Sequence, residues 1–254
     1  MNLKKEKATA LLAAQRACKI LEKHFGKKDS IQVKSNKSLV SDADLEANNA
    51  IIKTIKKNFP DHSILSEETP FEDRKSDFRW IIDPLDGTHN FIHGIPLFGT
   101  SIALEYKGEI IIGVMQFPIL KITAFAEKGR GAFVNGKKVR VSDKGSLDHS
   151  FILAEFGYSH RDEKIGFLQK FVNDPIDLRN FGSAIYHLLL IASGKCDGFV
   201  ILSTKIWDVA AGFLLVTEAG GKITGLNGGA WNLNNREFVV SNNRLHAMIL
   251  NYIT

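Results

Sequence analysis

In the stretch WIIDPLDGTHNF, residues 80–91, Asp83 and Asp86 stand three positions apart, directly after three apolar residues. Two carboxylates crowded at the end of a buried segment repel each other, and one takes up a proton unless a cation occupies the space between them. A hard divalent ion such as magnesium resolves the conflict, because it takes oxygen ligands: the carboxylates and a backbone carbonyl, here that of Leu85. Pro84 has no amide proton for a ladder bond, so a strand ending at Trp80-Ile81-Ile82 is expected to turn there. Gly87 allows backbone conformations closed to other residues, and Thr88 is a favoured helix N-cap, so amide N–H groups are expected at a helix start from residue 88. Helix starts attract anions. Metal ligands leading into an anion-binding helix end form the layout for metal-assisted phosphoryl chemistry, with water attacking in line. Asp-Pro-Leu-Asp-Gly is also the composition of a surface turn, and turn chemistry alone leaves both readings open.

Further acids end apolar segments. Glu67 and Glu68 follow HSILS, and Asp208 sits between Trp207 and the apolar run VAAGFLLVTEA, which Gly220 and Gly221 terminate. Each has a structural reading as well. Glu67 or Glu68 fits a solvated loop, Asp208 fits an N-cap, and Asp44 fits a capping box with Ser41 three residues before it.

These residues need a scaffold. Leu11, Ala14, Cys18 and Leu21 recur at helical spacing, so the first twenty residues read as an amphipathic helix and not as a signal peptide. A second helix follows Ser41 and stops at Pro60. From residue 98 the pattern becomes an antiparallel meander: SIALEY and IIIGVMQF flank Lys107-Gly108, ITAFAE follows, and AFV and KKVRV flank Asn135-Gly136, a pair favoured in tight hairpins. Beyond about residue 147 strands and helices alternate, with a helix expected near 161–173, which predicts a largely crossover-connected α/β layer. Two units are therefore expected: 1–147, helices plus an antiparallel sheet carrying most of the metal ligands, and 148–254, an α/β half carrying Asp208.

A chain of 254 residues with 44% hydrophobic content can bury a sizeable core. Two cysteines, Cys18 and Cys196, give neither a disulfide framework nor a zinc cluster and fit a reducing, cytoplasmic setting. No run approaches the ~18 apolar residues of a membrane span. The net charge of +5 permits attraction of phosphates, but the lysines are scattered in pairs, so a nucleic-acid tract is not expected. His89 and His93 lie four apart with no matching acid pattern and read as polar neighbours of the site. Lys128-Gly129-Arg130-Gly131 lacks the Gly-Lys-Ser/Thr of a P-loop, and no Gly-x-Ser-x-Gly elbow is present.

With these residues assembled, nearly the whole chain resembles the inositol monophosphatase family of magnesium-dependent, lithium-sensitive phosphomonoesterases. WIIDPLDGTHNF resembles its first signature and IWDVAAGFLLVTEAGG its second, in the right order; LVSDAD and GRGAFVNGKKVRVS agree more weakly. The resemblance implies an α-β-α-β-α layered sandwich of the inositol monophosphatase and fructose-1,6-bisphosphatase type, an α+β or α/β layered class, often homodimeric. It implies that Glu67, Asp83, the Leu85 carbonyl, Asp86 and Asp208 hold two Mg2+ ions, with Asp44 near a third position. It further implies that Thr88, with Glu67 or Asp44, orients the attacking water, that the Gly87 and Thr88 amides hold the phosphate, and that Gly182, Ser183, Ala184 and Asp208 meet the substrate. Lys34 loosely resembles a lysine near the metal site. Seven residues before Asp208, where inositol-hydrolysing members carry a glutamate, stands Ile201, which accepts no hydrogen bond from a polyol. Ser66, at a position where many of them have glycine, points the same way. The reaction implied is hydrolysis of inositol 1-phosphate or another small monoester. The alternatives are a 3'-phosphoadenosine 5'-phosphate, sugar or histidinol phosphate phosphatase, or a non-catalytic RNA- or protein-binding regulator.

Overall fold

A computed structural model describes residues 2–27, 31–33, 39–155 and 176–253. The helix expected near 161–173 and Lys34 lie outside these residues.

Helix α1 (Lys4–His24) buries Ala10, Ala13, Ala14, Ala17 and Leu21, a stripe at three- and four-residue spacing. Its small side chains let it pack closely on α2 (Asp42–Asn58), which contributes Ala43, Ala47, Ile51 and Ile55. Both cover one face of a seven-stranded sheet, meeting Trp80, Ile82, Ile102, Leu104, Ile112 and Val114. The short strands β1 (Ile31–Val33) and β2 (Leu39–Ser41) pair antiparallel between the helices.

The seven strands run in chain order: β3 (Ser63–Ser66), β4 (Phe78–Asp86), β5 (Gly99–Tyr106), β6 (Glu109–Phe117), β7 (Ile122–Glu127), β8 (Gly131–Val134) and β9 (Lys137–Lys138). β3 and β4 are parallel, and every later neighbour is antiparallel. The two expected hairpins form as read. Both turn residues have positive φ in each, 50° and 87° at Lys107-Gly108 and 48° and 76° at Asn135-Gly136, matching the right-handed strand twist.

The second sheet has the order β11-β10-β12-β14-β13, comprising β10 (Phe151–Glu155), β11 (Asp177–Arg179), β12 (Gly198–Ile201), β13 (Gly221–Thr224) and β14 (Phe238–Asn242). β10 is parallel to β11 and β12, whereas β14 is antiparallel to β12 and β13. The expected crossover-connected layer is thus a mixed sheet. β13 and β14 are joined by a loop with no helix in it, and such a return pairs strands antiparallel.

Between the sheets lie a short α4 (Ala184–Ala192) and α5 (Ile206–Glu218). α5 is buried continuously from Val209 to Val216, as a helix that is apolar all round must be. It lies so close to β6 that a Cβ on Gly113 would sit 2.6 Å from the Ala211 carbonyl oxygen. Glu218 at its end accepts from the Gly129 and Gly131 amides at 2.8 and 2.7 Å, tying α5 to the β7–β8 turn. One apolar cluster joins Ala103, Met115 and Phe117 of the first sheet to Phe199, Ile201 and Phe238 of the second through this layer. α6 (His246–Ile253) covers the outer face through Ile249, joined by Leu245 in the turn just before it. The layers therefore run α-β-α-β-α.

Candidate metal centre

The site begins where β4 outruns β3. Parallel pairing with β3 ends at Ser66 and Ile82, with one further bond from the Glu67 amide to the Ile82 carbonyl at 3.1 Å. β4 continues to Asp86 against β5, with a register shift between Asp83 and Asp86. The chain therefore does not turn at Pro84. Its missing N–H falls in a bulge beyond β3, a permitted place for proline, while its carbonyl accepts from the Thr100 hydroxyl at 2.9 Å. The bulge sets both aspartates into the buried end of the strand.

Glu67 at the end of β3, Asp83 on β4 and Asp208 in the first turn of α5 place carboxylate oxygens within 4.8 Å of one another. At an effective dielectric constant of 20, each like-charge pair at that separation costs about 3 kcal/mol. Burial, then the charges of Glu67, Asp86, Asp208 and Asp44, push the Asp83 carboxyl well above its usual range. Burial likewise raises Asp208, against the pull of the Lys205 amide and Thr204 hydroxyl, which both donate to its Oδ2 at 2.8 Å. Such a cluster holds protons or a cation. All-oxygen donors from three segments fit a hard divalent ion such as magnesium.

Asp86 is held by a different element. The Ser183 hydroxyl donates to Oδ2, and the Ala184 and Ile185 amides donate at 3.2 and 3.3 Å. Asp86 thus sits on the start of α4, which Ser183 also caps. Burial raises its pKa; the Ser183 bond opposes this, and Asp208 and Glu155 add to it.

The helix start after Asp86 forms, with a changed cap. α3 (Thr88–Ile92) has Gly87 as N-cap at φ 84°, a left-handed conformation costly for any side chain. A Cβ there would also lie 2.8 Å from the Leu97 carbonyl oxygen. Thr88 is the first helical residue, and its hydroxyl donates to the Leu85 carbonyl at 3.0 Å.

Asp44 does close the capping box: the Ser41 amide and hydroxyl donate to its Oδ2 at 2.8 and 2.6 Å. Burial lifts its pKa to about 7 against those two bonds, with Glu68 and Glu67 adding to the rise. It adjoins the three-carboxylate cluster without belonging to it. Ile201 is fully buried in the core layer, and Ser66 donates to Asn48 Oδ1 at 2.6 Å. The His89 and His93 rings stack 6.5 Å apart on the exposed side of α3. Sequence reasoning missed Thr204, Glu155, Asn90 and His187. A hydroxyl four residues before Asp208 was a findable signal for Thr204 alone.

The model described as the inositol monophosphatase family matches residues 2–254. The chain belongs to this family. Among relatives of this family member, the Nus factor SuhB of Pasteurella multocida is 36% identical over 250 residues, spanning 96% of this chain and 94% of that protein. The fructose-1,6-bisphosphatase/inositol-1-monophosphatase of Thermotoga maritima is 38% identical over 231 residues, 91% and 88% of the two chains. The crystal structure of the extragenic suppressor protein suhB of Bartonella henselae superposes with a TM-score of 0.94 at 33% identity, covering 98% of both. The layered sandwich is thus this family's fold. Among the described residues no helix is long and apolar enough to cross a membrane.

Proposed function

We propose that this inositol monophosphatase family member is a magnesium-dependent hydrolase of a small phosphate monoester, with inositol 1-phosphate as the first candidate. The observation that carries the reading is the convergence of Glu67, Asp83 and Asp208 from three separate segments. With Asp86 and the Leu85 carbonyl they would hold two Mg2+ ions, with Asp44 beside a third position. When bound, magnesium neutralises the phosphate and lowers the pKa of the attacking water.

The chain's own groups do the rest. The Gly87 and Thr88 amides, at the positive end of α3, hold the phosphate oxygens. Thr88, with Glu67 or Asp44, orients the water; its hydroxyl, which donates to the Leu85 carbonyl, is thereby left with lone pairs to accept from that water. Gly182, Ser183 and Ala184 border the substrate, and Asp208 reaches toward its hydroxyls. Because Ile201 offers no acceptor, a sugar phosphate, histidinol phosphate or 3'-phosphoadenosine 5'-phosphate competes with inositol 1-phosphate as substrate. Assembly as a homodimer belongs to the same reading and is checked by light scattering.

A panel of phosphomonoesters assayed with magnesium tests activity and selectivity together. Phosphate release is expected, is stopped by EDTA or lithium, and is absent in Asp86→Asn. Undiminished turnover in that variant would end the reading. The relative named as a Nus factor supports one alternative, an RNA- or protein-binding regulator. It requires salt-sensitive binding that survives Asp86→Asn.

A further inference from the structure

The Phe181 backbone is gripped at both its amide and its carbonyl by side chains from two helices. Asn90 Nδ2, on α3, donates to the Phe181 carbonyl and to the Leu97 carbonyl, each at 2.7 Å. The Phe181 amide donates to His187 Nε2 on α4 at 2.8 Å. Both protons of the Asn90 amide are thus used on carbonyls of different segments, a pattern that no acceptor or apolar residue reproduces. His187 is fully buried and Asn90 nearly so. With Nε2 accepting, the ring proton lies on Nδ1, 3.8 Å from Glu155 Oε2.

Two residues past this peptide is Ser183, whose hydroxyl donates to Asp86, and the next two amides converge on the same carboxylate. Every one of these donors belongs to chain that leaves the clamped peptide within four residues. Asn90 is itself four residues past Asp86. The grip therefore closes a loop in which both the acceptor and its donors are anchored to the same peptide.

We propose that Asn90 and His187 are positioning residues that act through the Phe181 peptide to set the donors on Asp86, and with them the orientation in which Asp86 meets magnesium. This rests on Asp86 being a magnesium ligand, the reading given above. Neither residue need touch substrate or ion. Groups that orient a ligating carboxylate govern metal affinity and activity by about 10–100-fold.

The test uses the full chain with Asn90→Asp, Asn90→Ala, His187→Gln and His187→Phe. Three quantities are read: Mg2+ affinity by calorimetry with the metal alone, kcat and KM on the best ester of the panel, and hydrogen exchange of the amides from Phe181 to Ile185. Asn90→Asp sets a carboxylate against two carbonyls. It is expected to weaken Mg2+ binding and lower kcat by about 10–100-fold with KM little changed, and to speed exchange in that segment. His187→Phe should do the same. His187→Gln keeps an acceptor near the Nε2 position and should stay within about threefold of the parent.

A purely structural role would lower the melting temperature in all four while leaving Mg2+ affinity and kcat of the folded protein unchanged, and that result overturns the proposal. So does unaltered exchange at Phe181–Ile185 in Asn90→Asp. If His187→Phe does not fold, the Asn90 variants and His187→Gln decide it. If the parent neither binds Mg2+ nor releases phosphate, the metal reading fails by itself; the claim that these residues orient Asp86 toward magnesium then falls with it, and exchange reports only whether the grip exists.

Discussion

The Ser183 hydroxyl donates to the Asp86 carboxylate across 97 residues of sequence. The bond joins the start of α4 to the end of β4, so one hydroxyl both begins a helix of the central layer and fixes an acid of the first sheet. Ser183→Ala removes both functions. Loss of the cap is expected to cost about 1 kcal/mol, and loss of the donor about 10–100-fold in turnover. Thermal melting and phosphate release measure the two separately; wild-type turnover would remove Ser183 from the site.

Asp83 is destabilising when charged and without a cation, because burial and four neighbouring acids act against it. Asp83→Asn should therefore melt at a higher temperature than the parent when both are metal-free. The parent should recover with magnesium, by about 2.7 kcal/mol at a hundredfold excess over Kd, and the variant should not. Melting curves with EDTA and with Mg2+ give all four values, and equal magnesium stabilisation of both proteins would contradict the assignment.

His187 gives a pH dependence of stability. Burial lowers its pKa from 6.5 to about 3, so between those values the unfolded chain binds the proton that the folded chain refuses. The contribution is complete above pH 6.5 and is lost as pH falls toward the folded value, about 2 kcal/mol by pH 5. Chemical denaturation at pH 5 and 7 should show this loss in the parent and a smaller one in His187→Gln. Identical slopes would mean that the imidazole is not held neutral.

Gly113→Ala tests the central layer. Its Cβ would lie 2.6 Å from the Ala211 carbonyl oxygen, so α5 must shift or the strand must bend, at a cost of about 1–3 kcal/mol. Because Asp208 rides on α5, magnesium affinity should fall together with stability. Denaturant midpoints and calorimetry check this; reduced stability with unchanged affinity would uncouple Asp208 from the packing.

Much of the site was legible because it is written in contiguous runs. WIIDPLDGTHNF carries a strand, two acids and a helix start; IWDVAAGFLLVTEA carries an acid and a helix apolar on every side. Periodicity and the hairpin pairs Lys107-Gly108 and Asn135-Gly136 located the first sheet. Pro84 misled because its missing N–H matters only where a neighbouring strand needs it, and β3 ends before that point. The cap fell to Gly87 and not Thr88 because the bulge leaves β4 in a left-handed turn. Asn90 stands inside the first signature, but its bonds to the Leu97 and Phe181 carbonyls, the bond of the Phe181 amide to His187 and the approach of Glu155 to His187 depend on how the segment before α4 folds back, which no local spacing encodes. The antiparallel return of β14 was hidden because the four-residue strand β13 intervenes between α5 and β14, and a strict alternation of strands and helices does not foresee it.

The burial of α5 also fixes a length scale. A helix advances about 1.5 Å per residue, whereas the carboxylate oxygens of Glu67, Asp83 and Asp208 share a space 4.8 Å across. Slippage of α5 by two or three residues would empty that space of its third acid, and it would also break the Glu218 bonds to the Gly129 and Gly131 amides and pull on β13, which starts three residues beyond the helix. Turnover should therefore be lost on warming together with the packing of the central layer, and magnesium should raise both temperatures by bolting that layer to its neighbour.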